Sequence, residues 1–356
     1  MNHQIKKIDD ITLISLDNEK GMIVTLCTFG ASIYDISVVD GNEKVESVVL
    51  TPYYFEDFLK STDYFGKCIG RFSGRIDEGI CRINGKEYHL DKNWKQMNAL
   101  HGGKDGIAFQ NFMYQVEEKE HQTNVIFTFV EKENQLPGDV CYSITYEILK
   151  NKNEIRLVFD AVSSKDTIVN LTNHVYFNLS GNLKQNILNH KLQLNCATYT
   201  RLNQNLIAEA IEPVNKVMDF RKLHTIGDYI YDPSLQNHMA KGYDHCWIKE
   251  EMNQEYIALL QDEVSKRRLK IYTSYPAIVC YAGCYPSTSL FTKEKIPINQ
   301  YHSLCLECQF IPNGINMNHV EKAILKQNDR YHHYIRYQFE LCEESENDQG
   351  RFEKEV

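Results

Sequence analysis

The chain has 356 residues, 42% hydrophobic and 24% charged, the balance of an ordinary globular protein. Its formal net charge of −9 argues against nucleic acid or an anionic membrane as a partner. No apolar run reaches the roughly 18 residues of a membrane-spanning helix, and the amino terminus lacks a basic and apolar leader. The eleven cysteines are therefore expected to be reduced thiols, and we predict a cytoplasmic protein.

Short segments rich in β-branched and aromatic residues recur along the chain, separated by turn signals. They predict strands at Ile11–Ser15, Met22–Thr28, Ile33–Val39, Val45–Leu50, Cys81–Ile83, Asn124–Val130, Ser143–Ile148, Glu154–Ala161, Lys191–Asn195, Ala258–Leu260, Arg268–Thr273, Ala277–Ala282, Ser303–Gln309 and His333–Leu341. Only Phe55–Lys60 and Gln185–Leu188 resemble a helical turn or two. The pattern predicts an all-β chain, folded as a large single-domain β-sandwich with very little helix.

The predicted domain spans residues 1–342, because no linker or fixed-period repeat interrupts the chain. Residues 343–356 form an acidic tail that starts with an apolar-free stretch, and we predict that this tail is disordered.

A histidine lies inside one strand-like segment, Asn170–Gly181, with asparagines on both sides of it. Asparagine is depleted in strands, and a buried polar group needs a hydrogen-bond partner. Taken alone, His174 is best explained as a core histidine whose hydrogen bonds are satisfied. The composition of this segment predicts a single strand that ends in a turn at Ser180–Gly181.

Four further stretches place polar groups in or beside strands: Gly70–Ile76, Asn98–Gly103, Gly242–Trp247 and Ser303–Phe310. Each has an ordinary explanation, such as a surface cation, a turn residue or an exposed strand position. In the last stretch, the two-residue alternation of a strand puts Glu307 on one face with Cys305 and Gln309. Cys308 then points to the opposite face from Cys305, which argues against a zinc or redox pair.

Together, these five stretches in this order resemble the aldose 1-epimerase (galactose mutarotase) family. That family's segments read approximately GR-x-x-x-RI, N-x-LHGG, NLTNH-x-YFNL, YDH and LE-x-Q-x-x-P-x-x-x-N. They match Gly70–Ile76, Asn98–Gly103, Asn170–Leu179, Tyr243–His245 and Leu306–Asn316. The resemblance runs from about residue 10 to residue 341. It implies a galactose mutarotase-like supersandwich with a sugar cleft across its sheets.

The resemblance also implies roles for individual residues. Glu307 matches the general base, His174 the general acid, and His101 a second histidine near the ring oxygen of the sugar. Asp244 and Arg71 match residues that bind sugar hydroxyls, and Asn98 and Gln309 are expected to bind substrate or orient the site. The expected reaction interconverts the α and β anomers of free hexoses such as D-galactose and D-glucose, with no cofactor and no metal.

For work at pH 7 we expect Glu307 as a carboxylate and His174 with a pKa near neutrality. The expected partner is a small sugar, bound by a monomer or homodimer. Three alternatives stay open: a mutarotase for hexose 6-phosphates, a non-catalytic sugar-binding protein, and a glycosidase that uses Asp244 and Glu307. Departures from the family pattern at Gly74, Phe112 and Asn313 leave the preferred sugar undetermined.

Overall fold

A computed structural model describes residues 1–250, 255–287 and 289–342. The tail predicted to be disordered, residues 343–356, lies outside the described residues. In chain order, the first strands are β1 Asn2–Ile8, β2 Ile11–Asp17, β3 Met22–Cys27, β4 Ser32–Val39, β5 Val45–Ser47, β6 Cys68–Ile69, β7 Arg75–Ile76, β8 Ile80–Ile83, β9 Lys86–His89, β10 Ala99–Leu100, β11 Met113–Glu118, β12 Gln122–Glu131, β13 Val140–Leu149 and β14 Glu154–Ser163.

The second half of the chain continues with β15 Thr167–Ile168, β16 Thr172–Asn173, β17 Tyr176–Phe177, β18 Lys191–Leu194, β19 Thr198–Leu202, β20 Ala208–Pro213, β21 His224–Thr225, β22 Asp244–Ile248, β23 Ala258–Gln261, β24 Arg267–Thr273, β25 Ala277–Tyr281, β26 Leu304–Gln309, β27 Ile324–Leu325 and β28 Arg330–Leu341. The α-helices are α1 Phe55–Lys60, α2 Gly227–Ile230 and α3 Pro233–Gln236, and single 3₁₀ turns occupy Asp77–Gly79, Ile107–Phe109, Ile187–Asn189 and Gly314–Asn316. None of the described helices is long and apolar enough to cross a membrane.

Three larger sheets form the framework. A five-stranded sheet runs in the order β1-β2-β3-β4-β5, a six-stranded sheet in the order β17-β26-β25-β22-β19-β20, and a nine-stranded sheet in the order β11-β12-β13-β14-β28-β24-β23-β18-β21. One buried hydrophobic cluster contains Leu26, Tyr146 and Leu304, one residue from each of these sheets. The sheets therefore share a core, and the predicted β-sandwich with very little helix is confirmed.

Burial along individual strands explains which strands the sequence revealed. In β13, buried residues mostly alternate with more exposed ones, so one face packs on the core and the other approaches solvent. In β1, six of the seven residues are exposed, and no apolar alternation marks the strand in the sequence. Strands β11, β19 and β20 were also not predicted, and in each of them polar or charged side chains interrupt the apolar pattern. The helix predicted at Phe55–Lys60 is present, whereas a 3₁₀ turn at Ile187–Asn189 replaces the one predicted at Gln185–Leu188.

The segment Asn170–Gly181 is not the single strand that its composition predicts. It contributes β16, which pairs with β6, and β17, which pairs with β26 in the six-stranded sheet. Between them, the backbone N–H of His174 donates to the carbonyl of Lys67, and the N–H of Gly66 donates to the carbonyl of His174. The chain thus changes pairing partners at His174, which puts this histidine at a junction between two sheets.

Candidate active site

A cavity of about 210 Å³ opens over the six-stranded sheet and is lined by residues of four consecutive strands, β17, β26, β25 and β22. Its polar lining residues are Thr62, Asp63, Arg75, His101, His174, Thr200, Asp244, His245, Glu307 and Gln309, and aromatic side chains at Tyr64, Trp94, Tyr176, Tyr281 and Tyr285 complete much of the wall. Mostly apolar walls with a few converging polar groups are typical of small-molecule sites. Of the residues predicted from the sequence, the cavity brings together His101, His174, Asp244, Glu307 and Gln309.

Glu307 and His174 face each other inside this cavity. Glu307 lies in the middle of β26, paired in register with Val279 of β25, and is therefore not on an edge strand. Its Oε1 lies 3.5 Å from Nε2 of His174, and the two side chains are only 3% and 6% exposed. Oε2 of Glu307 has no hydrogen-bond partner among the described residues. The alternation predicted for β26 holds, because Cys305 and Gln309 share the face of Glu307, and the Cys305 Sγ lies 3.5 Å from Nδ1 of His174.

Without a bound ligand, the protonation states of Glu307 and His174 differ from those expected from the sequence. Burial and, to a smaller extent, the nearby charge of Asp244 together raise the pKa of Glu307 to about 8, against the opposing effects of Arg75 and of the neighbouring Gln309 side chain. Burial also lowers the pKa of His174 to about 4. The pair therefore holds one proton at neutral pH, and that proton lies on Glu307 rather than on His174.

His101 lies beside His174, with the two rings 5.3 Å apart and nearly perpendicular. The backbone N–H of Gly74 donates to Nδ1 of His101 at 3.2 Å, so the neutral ring carries its proton on Nε2. Burial, with the neighbouring His174 and Arg75, holds the pKa of His101 well below its usual value. His101 is consequently a neutral hydrogen-bond donor at this wall of the cavity.

His101, His174 and Glu307 offer ligand atoms that all lie within 4.8 Å of one another, close enough for a metal ion. The hydrogen bond from Gly74 argues for a different use of the cluster, because it occupies the lone pair on Nδ1 of His101 and leaves the proton on Nε2. A metal would have to break this bond or remove that proton. The donor set therefore fits proton transfer better than metal binding.

Arg71 does not lie in the cavity, contrary to the prediction from the sequence. Its guanidinium is fully buried elsewhere: Nη1 donates to the carbonyls of Pro137 and Gly138 at 3.0 and 3.1 Å, and Nη2 pairs with Glu131 at 3.2 Å. Arg75, four residues later, lines the cavity instead. Its Nη2 donates to Oδ2 of Asp244 at 3.1 Å, and its guanidinium stacks over Trp94. The second arginine of the motif, Arg75, therefore lines the cavity, and Arg71 does not.

Asn98 also lies outside the cavity lining. Its Oδ1 accepts from the backbone N–H of Glu78, and its Nδ2 lies 3.5 Å from the carbonyl of Asn205, so it holds loops together beside β10. Gln309 does line the cavity, and neither atom of its buried amide has a partner among the described residues. The hydroxyl of Thr200, which also lines the cavity, is likewise unpaired there. Buried polar groups are usually hydrogen-bonded, so these unpaired groups mark a surface suited to a ligand with several hydroxyls.

Asp63, Thr200 and Tyr285 are cavity residues that sequence reasoning missed. Asp63 accepts from the backbone N–H of Ser287, and burial raises the pKa of its carboxyl group. None of the three belongs to the five stretches that carry the family resemblance. No local signal singles them out, because long-range folding alone brings them to the cavity.

Residues 12–338 match the sequence model of the family described as aldose 1-epimerase. The chain belongs to the aldose 1-epimerase family. This confirms the family predicted from the sequence, and with it the prediction of an enzyme, an isomerase acting on carbohydrates.

Relatives of this aldose 1-epimerase family member match over nearly their whole length. The galactose mutarotase of Mus musculus is 30% identical over 90% of this chain and 91% of its own. The aldose 1-epimerase of Escherichia coli (strain K12) is 27% identical, over 92% of this chain and 94% of its own. The crystal structure of galactose 1-epimerase from Lactobacillus acidophilus NCFM superposes with a TM-score of 0.83, at 26% identity, covering 96% of this chain and 99% of that one. The predicted galactose mutarotase-like fold is therefore confirmed.

Proposed function

We propose that the protein interconverts the α and β anomers of a free hexose, with Glu307 and His174 as the acid–base pair. The observation that carries this proposal is the buried, mutually facing pair at 3.5 Å in the cavity. Family membership supports the reaction, and the placement of the pair supports the assignment of residues. D-Galactose and D-glucose are the proposed substrates.

Ring opening removes the proton of the C1 hydroxyl and protonates the ring oxygen, while the bond between C1 and that oxygen breaks. Glu307 as carboxylate takes the first proton, and His174 as imidazolium gives the second. Rotation about the C1–C2 bond of the open aldehyde then exposes the other face of the carbonyl. Ring closure reverses both proton transfers and returns the pair to its starting state. General acid–base assistance contributes roughly 10²–10⁴-fold in such reactions.

The single proton held by the pair matches this chemistry, since one group must accept a proton while the other donates one. The reactive arrangement, carboxylate and imidazolium, is the minor placement of that proton in the free site. His101 contributes a fixed donor from Nε2, suited to the ring oxygen or to a neighbouring hydroxyl. Asp244, Arg75 and Gln309 are proposed to bind the remaining hydroxyl groups.

The charges of the cavity favour an unphosphorylated sugar over a hexose 6-phosphate. Among the described residues that line it, Arg75 is the only one with a permanent positive charge, and Asp244 and Tyr285 already engage it. Asp63, Asp244 and Glu307 bring carboxyl groups to the same cavity. A phosphate dianion would therefore meet acids without a free cation to offset them.

Polarimetry of freshly dissolved α-D-galactose and α-D-glucose tests the proposal. The wild-type protein is expected to speed equilibration, and Glu307→Gln and His174→Asn are expected to lose the enzymatic rate. Glu120→Gln and His121→Asn, at exposed positions, are matched controls that should behave as wild type. Wild-type activity in either cavity variant would contradict the assignment of the pair.

Three further measurements separate the competing functions. A higher rate on glucose 6-phosphate than on glucose would favour the phosphorylated substrate. Sugar binding by calorimetry without faster anomer exchange would establish a binding protein. Release of nitrophenol from aryl galactosides would support the alternative that the protein is a glycosidase that uses Asp244 and Glu307.

A further inference from the structure

Tyr285 connects the two charged residues that are proposed to bind sugar hydroxyls. Its hydroxyl accepts a hydrogen bond from Nη2 of Arg75 at 2.8 Å and donates a shorter one to Oδ2 of Asp244. Nη2 of Arg75 also donates to the same Oδ2 at 3.1 Å. Arg75, Asp244 and Tyr285 thus form a triangle of hydrogen bonds, in which each side chain contacts the other two.

This arrangement treats the two oxygens of Asp244 differently. Oδ2 accepts from both Arg75 and Tyr285, whereas no hydrogen bond between described residues uses Oδ1. The residue is only 8% exposed and lines the cavity. Oδ1 is therefore the carboxylate oxygen available to a sugar hydroxyl, with the carboxylate already oriented by its other oxygen.

The position of Tyr285 in the fold is fixed independently of Asp244. Its backbone N–H donates to the hydroxyl of Tyr281 at 3.2 Å, and the two rings lie 5.0 Å apart. The residue is 40% exposed, and it forms an outer wall of the cavity while its hydroxyl points inward to Asp244. The hydroxyl is consequently held in place before any ligand binds.

We propose that Tyr285 is a substrate-positioning residue that orients Asp244 so that Oδ1 accepts a hydrogen bond from a hexose hydroxyl group not involved in ring opening. The proposal rests on the proposed function, which assigns Asp244 to sugar binding. It goes beyond that function because it makes affinity for the sugar depend on a phenol that itself takes no part in proton transfer. Removal of this hydroxyl should weaken binding and leave the chemical step nearly unchanged.

Tyr285→Phe keeps the ring and removes only the two hydrogen bonds. Loss of one hydrogen bond to a charged group corresponds to about a tenfold loss of affinity. We expect KM for D-galactose to rise about tenfold and kcat to stay within about twofold of wild type. Calorimetry with 1,5-anhydro-D-galactitol, which lacks the C1 hydroxyl and does not react, should show the same loss in Kd. Tyr231→Phe, at an exposed position, is the matched control and should leave both values unchanged.

A double-mutant cycle with Asp244→Ala separates positioning from direct contact with the sugar. If Tyr285 acts through Asp244, adding Tyr285→Phe to Asp244→Ala should change Kd by less than about twofold. An unchanged Kd in the single Tyr285→Phe variant would overturn the proposal. An equal loss in both backgrounds would also overturn it, because Tyr285 would then contact the sugar without Asp244. A wild-type protein that fails to speed mutarotation would instead refute the proposed function itself.

Discussion

Nε2 of His174 lies 3.5 Å from Oε1 of Glu307, across a junction where the chain leaves one sheet and enters another. The closeness of two buried ionisable groups links their titrations, so that the pair gains and loses protons as a unit. Burial opposes charge on both groups and places the single proton on the carboxyl group at neutral pH. The pH dependence of activity should therefore show the two pKa values of the pair.

We predict a broad plateau of kcat/KM between about pH 4 and about pH 8, where the pair holds one proton. Below the plateau, His174 becomes protonated while Glu307 is still protonated, and the base is lost. Above it, Glu307 loses its proton while His174 is neutral, and the acid is lost. Initial rates by polarimetry, corrected for the spontaneous reaction, measure the profile. A limb near 6.5, the ordinary value for histidine, would show that burial does not control the pair.

The two arginines of the motif should differ in their effect on substrate binding, because only Arg75 lines the cavity. Arg75→Met removes a partner of Asp244 in the cavity, and we expect a large rise in KM together with a loss of stability, because the buried carboxylate of Asp244 is left without its cation. Arg71→Met leaves Glu131 without its buried cation, which should lower the free energy of unfolding by roughly 3–5 kcal/mol. Urea unfolding and polarimetry measure the two effects. A rise in KM for Arg71→Met in folded protein, with none for Arg75→Met, would restore the sequence-based assignment.

Two adjacent glycines after His101 provide a matched pair of substitutions. Gly102 and Gly103 have φ values of +78° and +79°, so alanine at either position is strained by roughly 1–2 kcal/mol. A Cβ at Gly102 would lie 1.9 Å from the carbonyl oxygen of Gly70, whereas one at Gly103 would meet nothing within 4 Å. Gly102→Ala should therefore destabilise the protein more than Gly103→Ala and lower kcat/KM by displacing His101. Equal unfolding free energies in urea would contradict this prediction.

Lys67 is expected to make stability depend on pH. Its ammonium is fully buried beside the rings of Phe29, Phe58 and Phe109, and burial lowers its pKa to about 7 from 10.5. Between these two values the unfolded chain binds more protons than the folded one at this residue, so its contribution to stability rises with pH.

Replacement of Lys67 by methionine should remove this rise and stabilise the protein most below pH 7, where the buried amine is charged. Urea unfolding at several pH values measures the slope, with exposed Lys104→Met as the control. The same slope in wild type and Lys67→Met would show that other groups cause the pH dependence.

The sequence by itself determined the class of fold, the family and most of the residues of the proposed acid–base site. Strands with one buried face, such as β13, reveal themselves through alternation, because successive side chains point to opposite faces. The same local rule placed Gln309 beside Glu307 on β26. These conclusions depend only on residues that are close to one another in the sequence, so they need no knowledge of the tertiary structure.

Only the tertiary structure decided which arginine enters the cavity, where the proton of the pair lies and what holds Asp244. Arg71 and Arg75 look alike in the sequence, and their destinations depend on Glu131 and Asp244, each far away along the chain. The pKa values of Glu307 and His174 follow from burial by several sheets at once. Tyr285 reaches Asp244 only because β22 and β25 are paired, a contact that no local pattern encodes.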